Sequence, residues 1–333
     1  MGLLRIHFTA DDLARTTVAA GADPLWETVL SRFRLQDRDK APAFRPWERG
    51  LRESPARLSR MASGLRWLTA LAPEAPYFPD FLTPAAARDG LEAGLEALRA
   101  TPRRRFRHEL ELLARYAPIP GWLGALAERP SAPMSELATA LADYHAAAIA
   151  PHRDLIEPAV EGDRAWRVGH LVGSGVEGLL GSMKPMMRWR FPVLEVDYSV
   201  DRELHLRGRG LTLVPSYFCR RVPVSLADPE LPPVLIYPID AGFRWTPVAR
   251  VSGSVEALIG ATRAAVLQAA GGGATTSELA RRAGVSLAAA SRHAKVLREA
   301  GLIRSVRQGP AVLNLLTPLG SGLLERPGRH LDH

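Results

Sequence analysis

The feature that most constrains the fold is a pair of short helical patterns near the C-terminal end, separated by a turn. The run Thr275–Glu278 (TTSE) fits a capping box, in which a threonine hydroxyl and a glutamate carboxylate satisfy backbone N–H groups at a helix start. Gly284 stands where a helix commonly ends with a positive φ, and Ser286 is suited to cap a second helix over 286–299. Two short helices around such a turn are the pattern that can place the second helix in the major groove of DNA.

The second helix is predicted to have two unlike faces, since successive residues turn by about 100°. The exposed face is predicted to carry Ala288, Ser291, Arg292 and Lys295. The packed face is predicted to carry Ala290, Ala294 and Leu297. By its angle Leu287 lies nearer the packed face, whereas Ala288 could touch a thymine methyl group.

A hairpin is predicted after this helix, over 303–316. Two strand-like runs flank the turn residues Gln308-Gly309-Pro310, and Arg304 and Arg307 lead into the tip. Arginine at such a position suits contact with phosphate. Before the capping box, one continuous helix is predicted from an apolar stripe that ends at the glycines 271–273. The stripe consists of Val255, Leu258, Ile259, Thr262 and Val266.

The region from the second helix into the hairpin resembles the ArsR-type winged-helix regulators. Their recognition helix commonly has the pattern S-x-x-x-[VI]-S-x-H-L-x-x-L-x-x-A-G-L-[VI]. The positions in register are Ser286, Ser291, His293, Leu297, Ala300, Gly301, Leu302 and Ile303. The chain departs from the pattern at Ala290 and Ala294, where larger aliphatic residues are usual, so we expect the preceding helix to fill that part of the core.

The whole chain is also similar, less specifically, to longer actinobacterial members of this type with an extra N-terminal domain. The segments that carry the similarity are DPLWE (23–27), Tyr144-His145, LLGSMKP (179–185), LEV (194–196) and GRGLTLVPS (208–216). This resemblance implies a bacterial transcription factor that binds DNA as a homodimer. It does not imply a particular effector.

Metal sensing is not expected, and no cofactor is predicted. The metal-sensing relatives carry cysteines in the first helix of the motif, where this chain has SELARRAG, or histidine and acidic residues on the last helix. The tail offers only His330, Asp332 and His333, whereas a stable site needs three or four convergent ligands.

Composition fits this reading and indicates a reducing compartment. Hydrophobic content of 47% and charged content of 23% are ordinary for a globular protein, and no apolar run approaches the roughly 20 residues of a membrane span. A single cysteine, Cys219, excludes an internal disulfide framework. The first residues turn acidic too soon for a signal peptide, so we expect a cytoplasmic protein. The net charge of the chain is +8, and residues 251–333 contribute +5 of it, which suits a polyanionic partner.

The predicted fold class is α+β, mostly helical, with an N-terminal α+β domain over 1–250 and a winged helix-turn-helix over 251–325. Helices are predicted over 10–36, with a turn near residues 21–24, and over 47–71, 84–100, 102–116 and 133–150. Short strands are predicted in LEVDYSV (194–200), ELHLRGRGLTLVPSYF (203–218) and PPVLIYPID (232–240). The N-terminal domain is expected to supply dimer contacts. A small-molecule effector pocket there would be lined by aromatic residues such as Trp26, Trp166, Trp189 and Tyr217.

An alternative is a nucleotide-binding protein or enzyme that uses the glycines of Gly173-x-Gly175-x-x-Gly178, with Asp197 about twenty residues on. That fingerprint requires a strand, a tight turn and an uninterrupted helix, but Pro185 follows the third glycine closely. We therefore favour a loop and short helix that pack the N-terminal domain. No catalytic residue is predicted, and Cys219 is interpreted as a buried strand cysteine.

The sequence thus predicts a homodimeric DNA-binding regulator with no enzymatic activity, which contacts double-stranded DNA at a pseudo-palindromic site. A protein-interaction adaptor is a third possibility, which strong salt dependence of DNA binding would exclude. The predicted DNA-contacting residues are Thr275, Thr276, Ser277, Ser286, Leu287, Ala288, Ser291, Arg292, Lys295, Arg304, Arg307 and Gln308.

Overall fold

The computed structural model describes residues 2–37, 41–127, 132–244, 253–271, 273–308 and 311–324. By its internal packing the chain divides into two compact units. The first unit comprises Met1–Glu157 and Leu180–Pro238, and the second comprises Pro158–Leu179 and Ile239–His333. The expected domain boundary at residues 250 and 251 lies outside the described residues and stays a prediction.

Helices form much of the first unit, and several of them begin where a cap or a proline favours it. α2, for example, starts at Pro24, directly after Asp23, whose carboxylate accepts hydrogen bonds from the backbone N–H groups of Leu25 and Trp26. The helices are α1 (Ala10–Ala14), α2 (Pro24–Gln36), α3 (Arg45–Arg52), α4 (Pro55–Leu71), α5 (Leu91–Arg99), α6 (Arg103–Ala114), α7 (Gly121–Ala127) and α8 (Ala132–Ala148). Short 3-10 turns occur at Pro42–Phe44, Asp80–Leu82, Ala85–Asp89 and Ala150–His152.

Two four-stranded sheets complete the first unit. The strands are β1 (Gly2–His7), β2 (Thr17–Val18), β3 (Met187–Arg190), β4 (Val193–Tyr198), β5 (Arg202–His205), β6 (Thr212–Ser216), β7 (Val224–Ser225) and β8 (Val234–Pro238). One sheet has the order β3-β4-β1-β5, in which β1 is antiparallel to β4 and parallel to β5. The other has the order β2-β6-β8-β7, and its first three strands are parallel.

A close helix pair lies in the core of the first unit. α4 packs against α8, and a Cβ atom added at Gly64 would lie 2.4 Å from the carbonyl oxygen of Ala140. Glycine is therefore required at this crossing. Next to it, Tyr144 is fully buried and its hydroxyl lies 3.0 Å from the hydroxyl of Ser31 on α2.

Buried carboxylates hold the ends of strands in the same unit. Glu27, 1% exposed, accepts hydrogen bonds from the backbone N–H groups of Tyr217 (2.8 Å) and Phe218 (3.0 Å), just after β6. Asp80 accepts from the N–H groups of Ala227 (2.9 Å) and Asp228 (2.8 Å), just after β7. Because these donors are satisfied by charged acceptors, each contact stabilises the fold more than a neutral hydrogen bond would.

A long helix, α9 (Arg153–Gly181), contains the glycine run that imitates a nucleotide-binding fingerprint. Its backbone leaves helical geometry at Ser174 and at Gly175, where φ is +65°. Helix, and not a strand, precedes Gly173, so the run lacks the strand-to-helix turn that the fingerprint requires. The expectation of a loop and short helix packed on the N-terminal domain was wrong, since most of α9 belongs to the second unit.

The second unit continues with helices and a small antiparallel sheet. Its helices are α10 (Ala241–Arg244), α11 (Gly253–Ile259), α12 (Ala261–Ala269), α13 (Thr276–Ala283), α14 (Leu287–Glu299) and α15 (Pro318–Leu324). Its strands are β9 (Ala274–Thr275), β10 (Ile303–Gln308) and β11 (Ala311–Leu316), in the order β10-β11-β9. The α+β fold class is confirmed, with a two-stranded hairpin following α14 as predicted.

Four predicted helices are interrupted in the structure. The segment 84–100 divides at Gly90 into the 3-10 turn Ala85–Asp89 and α5. The pattern over 10–36 contains the short strand β2, and the pattern over 47–71 divides into α3 and α4 at Ser54, which caps the second helix. The continuous helix expected before the capping box breaks at Gly260, where φ is +84°. Within the expected stripe Val255 and Val266 are buried, whereas Leu258 is 70% exposed.

Candidate nucleic-acid interface

The first helix of the motif, α13, begins with the predicted capping box. The hydroxyl of Thr275 accepts a hydrogen bond from the backbone N–H of Glu278 at 3.3 Å, and the carboxylate of Glu278 accepts from the N–H of Thr275 at 2.8 Å. These hydrogen bonds lower the pKa of Glu278 and keep it charged. Thr275 therefore already uses the groups that were expected to contact phosphate. Of the next two residues in the chain, Thr276 is half-buried and Ser277 is exposed.

The turn between α13 and α14 has the geometry that its sequence predicts. Gly284 adopts a left-handed conformation with φ at +67°, which a residue with a side chain rarely adopts. The N–H of Val285 then bonds to the carbonyl of Ala280 at 2.9 Å. Ser286 caps α14, and its hydroxyl accepts from the N–H of Ala289 at 3.3 Å. The turn thus fixes where the second helix begins.

The packed face of α14 is the one predicted from its angles. Ala290, Ala294 and Leu297 are at most 3% exposed. They share one apolar cluster with Leu267 of α12 and Leu279 of α13. The small alanines are therefore accommodated by larger side chains from the preceding helices, as expected.

The opposite face of α14 carries the predicted polar side chains into solvent. Ala288, Ser291, Arg292 and Lys295 are all exposed. Lys295 Nζ lies 3.9 Å from a carboxylate oxygen of Glu299, an exposed pair that contributes little to stability. Among the contacts of the described residues, Arg292 has neither an ion pair nor a hydrogen bond, so its guanidinium can bind an external acceptor.

Leu287, the first residue of α14, is 56% exposed. The helical angle places its side chain nearer the packed face, but the packed face does not cover it. An angle describes the direction of a side chain but not whether a neighbour covers it, and no neighbour covers most of Leu287 at the first turn.

β10 and β11 form an antiparallel hairpin, in which Gln308, expected as a turn residue, is instead the last residue of β10. Arg304 lies opposite Leu315 at the base, Arg307 opposite Val312, and Gln308 opposite Ala311 next to the tip. Arg307 is exposed. Gly309 and Pro310, the other two residues of the predicted turn, lie outside the described residues.

Arg304 has a partner within its own unit. Its guanidinium lies 5.3 Å from the ring centre of Trp166 on α9, a cation–π contact. It also lines a cavity of about 250 Å³ together with Asp240, Phe243 and Leu315. The cation that remains near the hairpin tip is Arg307, and Arg304 is better described as a residue of the hairpin base.

A chain of polar contacts, which the sequence did not suggest, links α14 to the sheet. Arg298 donates to the hydroxyl of Ser305 at 2.6 Å, and that hydroxyl donates to Asn314 Oδ1 at 2.9 Å. Asn314, 1% exposed, donates from Nδ2 to the carbonyl of Ala274 at 3.3 Å. The available signal was Asn314 itself, since it is the only asparagine in the chain and stands in an apolar strand.

Comparison with known proteins agrees with this geometry. A family model described as a helix-turn-helix domain matches residues 260–306. Residues 260–306 form a helix-turn-helix domain. The match covers α12, α13, α14 and part of β10, and it supports a DNA-binding transcription regulator in general. No curated protein and no solved structure matches the chain.

The aromatic residues proposed for an effector pocket are not gathered in one place within either unit. Trp26 and Tyr217 are buried in the core of the first unit, and Trp189 lies on β3 of the same unit. Trp166 instead contacts Arg304 beside the helix-turn-helix domain, in the second unit.

Other functional classes have few candidate groups in the part of the chain that the structure describes. No group of three or more histidine, cysteine or acidic side chains there could hold a metal ion, and His330, Asp332 and His333 lie outside it. The described helices include none that is both long and apolar enough to cross a bilayer. Cys219 is 1% exposed and donates to the carbonyl of Val222 at 3.4 Å, in a turn after β6 and not in a strand.

Proposed function

We propose that the chain is a homodimeric, ArsR-type transcriptional regulator of the bacterial cytoplasm, with no enzymatic activity, which binds a pseudo-palindromic operator. The observation that carries the proposal is the division of α14 into a fully packed face and an exposed face with Ser291, Arg292 and Lys295. A helix supported in this way from one side can enter a major groove without losing its place in the core.

Each polar residue of the interface has a distinct role in this proposal. Arg292 donates to a base edge. Guanine matches it best, because its O6 and N7 atoms can accept two hydrogen bonds from one guanidinium. Lys295 and Arg307 neutralise phosphates, which contributes affinity without sequence information. Ser277, exposed in the first turn of α13, adds a hydroxyl contact to the backbone.

The dimer is proposed because a single domain offers few base contacts. Two copies related by a two-fold axis would place their α14 helices in successive major grooves, about 34 Å apart. Doubling the contacts in this way multiplies both affinity and selectivity. Sedimentation of the full chain with and without operator measures the stoichiometry, and a 1:1 complex on a two-fold symmetric site would contradict this part of the proposal.

The decisive experiment begins with genomic fragments that the full chain retains at low salt, followed by mobility-shift titration. Arg292→Ala is expected to weaken operator binding about 10–100-fold and to relax the preference at one base pair. Arg263→Ala removes an exposed arginine from α12 and serves as the matched control, which should bind as the unaltered chain does. Equal binding by Arg292→Ala would overturn the proposed role of α14.

Salt dependence separates a DNA-binding protein from a protein-interaction adaptor. Phosphate contacts release counterions, so the affinity should fall steeply as salt rises. Arg307→Ala is expected to reduce the slope of log affinity against log salt by about one. Binding that does not depend on salt would favour the adaptor.

A small-molecule effector is also part of the proposal, and its site is assigned to the cavity beside Arg304. The cavity combines the apolar walls of Phe243 and Leu315 with the cation of Arg304 and the carboxylate of Asp240, which suits a small organic acid that also carries a hydrogen-bond donor for Asp240. Because Arg304 belongs to β10, a ligand there would contact the hairpin directly. A survey of small carboxylates by thermal shift should find one that raises the melting temperature of the full chain but not of Arg304→Ala, and a survey without such a ligand would overturn this assignment.

A further inference from the structure

Leu287 is a large apolar side chain that remains 56% exposed at the first position of α14. A single exposed leucine is common on protein surfaces and by itself indicates nothing. Its place is what matters. It directly follows the capping residue Ser286, in the turn of a recognition helix whose side chains contact base edges. Its neighbour Ala288 is exposed as well, so small and apolar groups occupy this end of the helix.

The major groove offers one kind of apolar group to such a side chain. Guanine, cytosine and adenine present hydrogen-bond donors and acceptors there, whereas thymine presents its C5 methyl group beside a single acceptor. A leucine pressed against the other edges would remove polar groups from water without replacing their hydrogen bonds, which is unfavourable. Against a methyl group it would bury apolar surface on both partners.

We propose that Leu287 determines specificity by contacting the C5 methyl group of a thymine in each half-site of the operator. This inference rests on the proposed DNA-binding function and adds the base type that the helix end recognises. It assigns to Leu287, and not to Ala288, the thymine contact that the helical angles alone suggested.

Arg292 lies five residues after Leu287, which is about 7.5 Å along the helix axis. This separation is larger than the rise of about 3.4 Å between neighbouring base pairs. The two side chains are therefore expected to contact different base pairs, so that a thymine and a guanine occupy separate positions in each half-site.

The test uses an operator duplex taken from the genomic fragments that the full chain retains. Each thymine of a half-site is replaced in turn by deoxyuridine, which keeps the hydrogen-bonding edges and removes only the methyl group. At one position the unaltered chain should bind the deoxyuridine duplex about fourfold more weakly, the loss expected for one buried methyl group.

The variant Leu287→Ala should bind the thymine and deoxyuridine duplexes equally. Alanine suits an exposed helix position, so the melting temperature of this variant should match that of the unaltered chain. Val296→Ala is the matched control. Val296 is also an exposed apolar residue of α14, 43% exposed, but it lies in the third turn, and its variant should keep the preference for thymine.

Two results would overturn the inference while the proposed function stands. One is equal binding of the thymine and deoxyuridine duplexes by the unaltered chain at every position. The other is an undiminished preference for thymine in Leu287→Ala, since another residue would then contact the methyl group. Failure to retain any genomic fragment would instead overturn the proposed function.

Discussion

The two units differ in how far apart in sequence their stabilising polar contacts lie. In the helix-turn-helix domain, the capping box joins Thr275 to Glu278 across three residues. In the first unit, Glu27 accepts hydrogen bonds from backbone groups about 190 residues later. The same chemistry, a carboxylate that accepts a backbone N–H, is therefore local at the start of α13, whereas in the first unit it also joins residues about 190 positions apart.

This difference also concerns burial. Glu27 and Asp80 are almost fully buried, and burial raises the pKa of Asp80 to about 6 although backbone hydrogen bonds oppose the rise. Glu278 is half-exposed, and its pKa is lowered by the hydrogen bonds of the cap. Local caps at a surface cost little desolvation, whereas buried long-range contacts stabilise strongly only when every partner is in place.

The largest expected effect is the loss of a long-range contact. Glu27→Ala would leave the N–H groups of Tyr217 and Phe218 buried without this acceptor, and we expect a destabilisation of about 4 kcal/mol. Denaturation followed by tryptophan fluorescence measures it, since five of the seven tryptophans lie in the first unit. Glu96→Ala, which changes an exposed glutamate, is the control. Equal stability of the two variants would show that the buried hydrogen bonds of Glu27 do not stabilise the first unit.

The second effect concerns a buried titratable group of the first unit. Burial, with Arg153 nearby, lowers the pKa of His145 to about 4, so the unfolded chain takes up the proton first as the pH falls below 6.5. The contribution of neutral His145 to the free energy of unfolding is therefore fully present above pH 6.5. It is lost as the pH falls toward 4, by up to about 3 kcal/mol. His145→Gln should lack this fall, whereas the exposed His108→Gln should keep it. Parallel pH profiles for all three chains would show that His145 is not the cause.

A smaller effect is expected for the contact of intermediate range in the second unit. Asn314→Ala removes hydrogen bonds to Ser305 and to the carbonyl of Ala274, and we expect a loss of about 2 kcal/mol. Hydrogen exchange of the β10 and β11 amides reports the loss locally. Ser291→Ala changes an exposed side chain of α14 and should leave the exchange unchanged. Unaltered exchange in Asn314→Ala would show that the hydrogen bonds of Asn314 do not stabilise β10 and β11.

The smallest effect is expected for the local cap. Thr275→Ala should destabilise α13 by about 1 kcal/mol, as for other capping residues. The same hydrogen-exchange measurement applies, now on the amides of α13. Ser277→Ala provides the matched control within the same turn. A loss as large as that of Glu27→Ala would contradict the view that local contacts stabilise less.

Most of the helix-turn-helix domain was predictable because its determinants are local. The cap at Thr275, the turn at Gly284 and the packed face of α14 follow from spacings of three to seven residues. The first unit was predicted less well for the opposite reason. β1 was missed because its partners β4 and β5 lie nearly 200 residues later.

In the candidate site, the directions of the side chains could be predicted, but the residues that pack against them could not. Helical angles placed Arg292 on the exposed face, but they could not show that Leu287 is uncovered or that Trp166 lies under Arg304. α9 was also missed, because the glycines 173–178 and the nearby Pro185 were interpreted as a loop and short helix, whereas the helix runs from Arg153 to a kink at Ser174 and Gly175 and on to Gly181. Such features depend on tertiary packing, which one sequence does not display.

The contact between Trp166 and Arg304 has a consequence for how this domain can be inherited. A gene segment that encodes only residues 251–333 would lack the indole on which Arg304 lies and the ring of Phe243 beside it. Recombination that moved this segment into another protein would separate the hairpin from Trp166 and Phe243, which lie beside its base. The second unit is therefore complete only together with the part of α9 that carries Trp166.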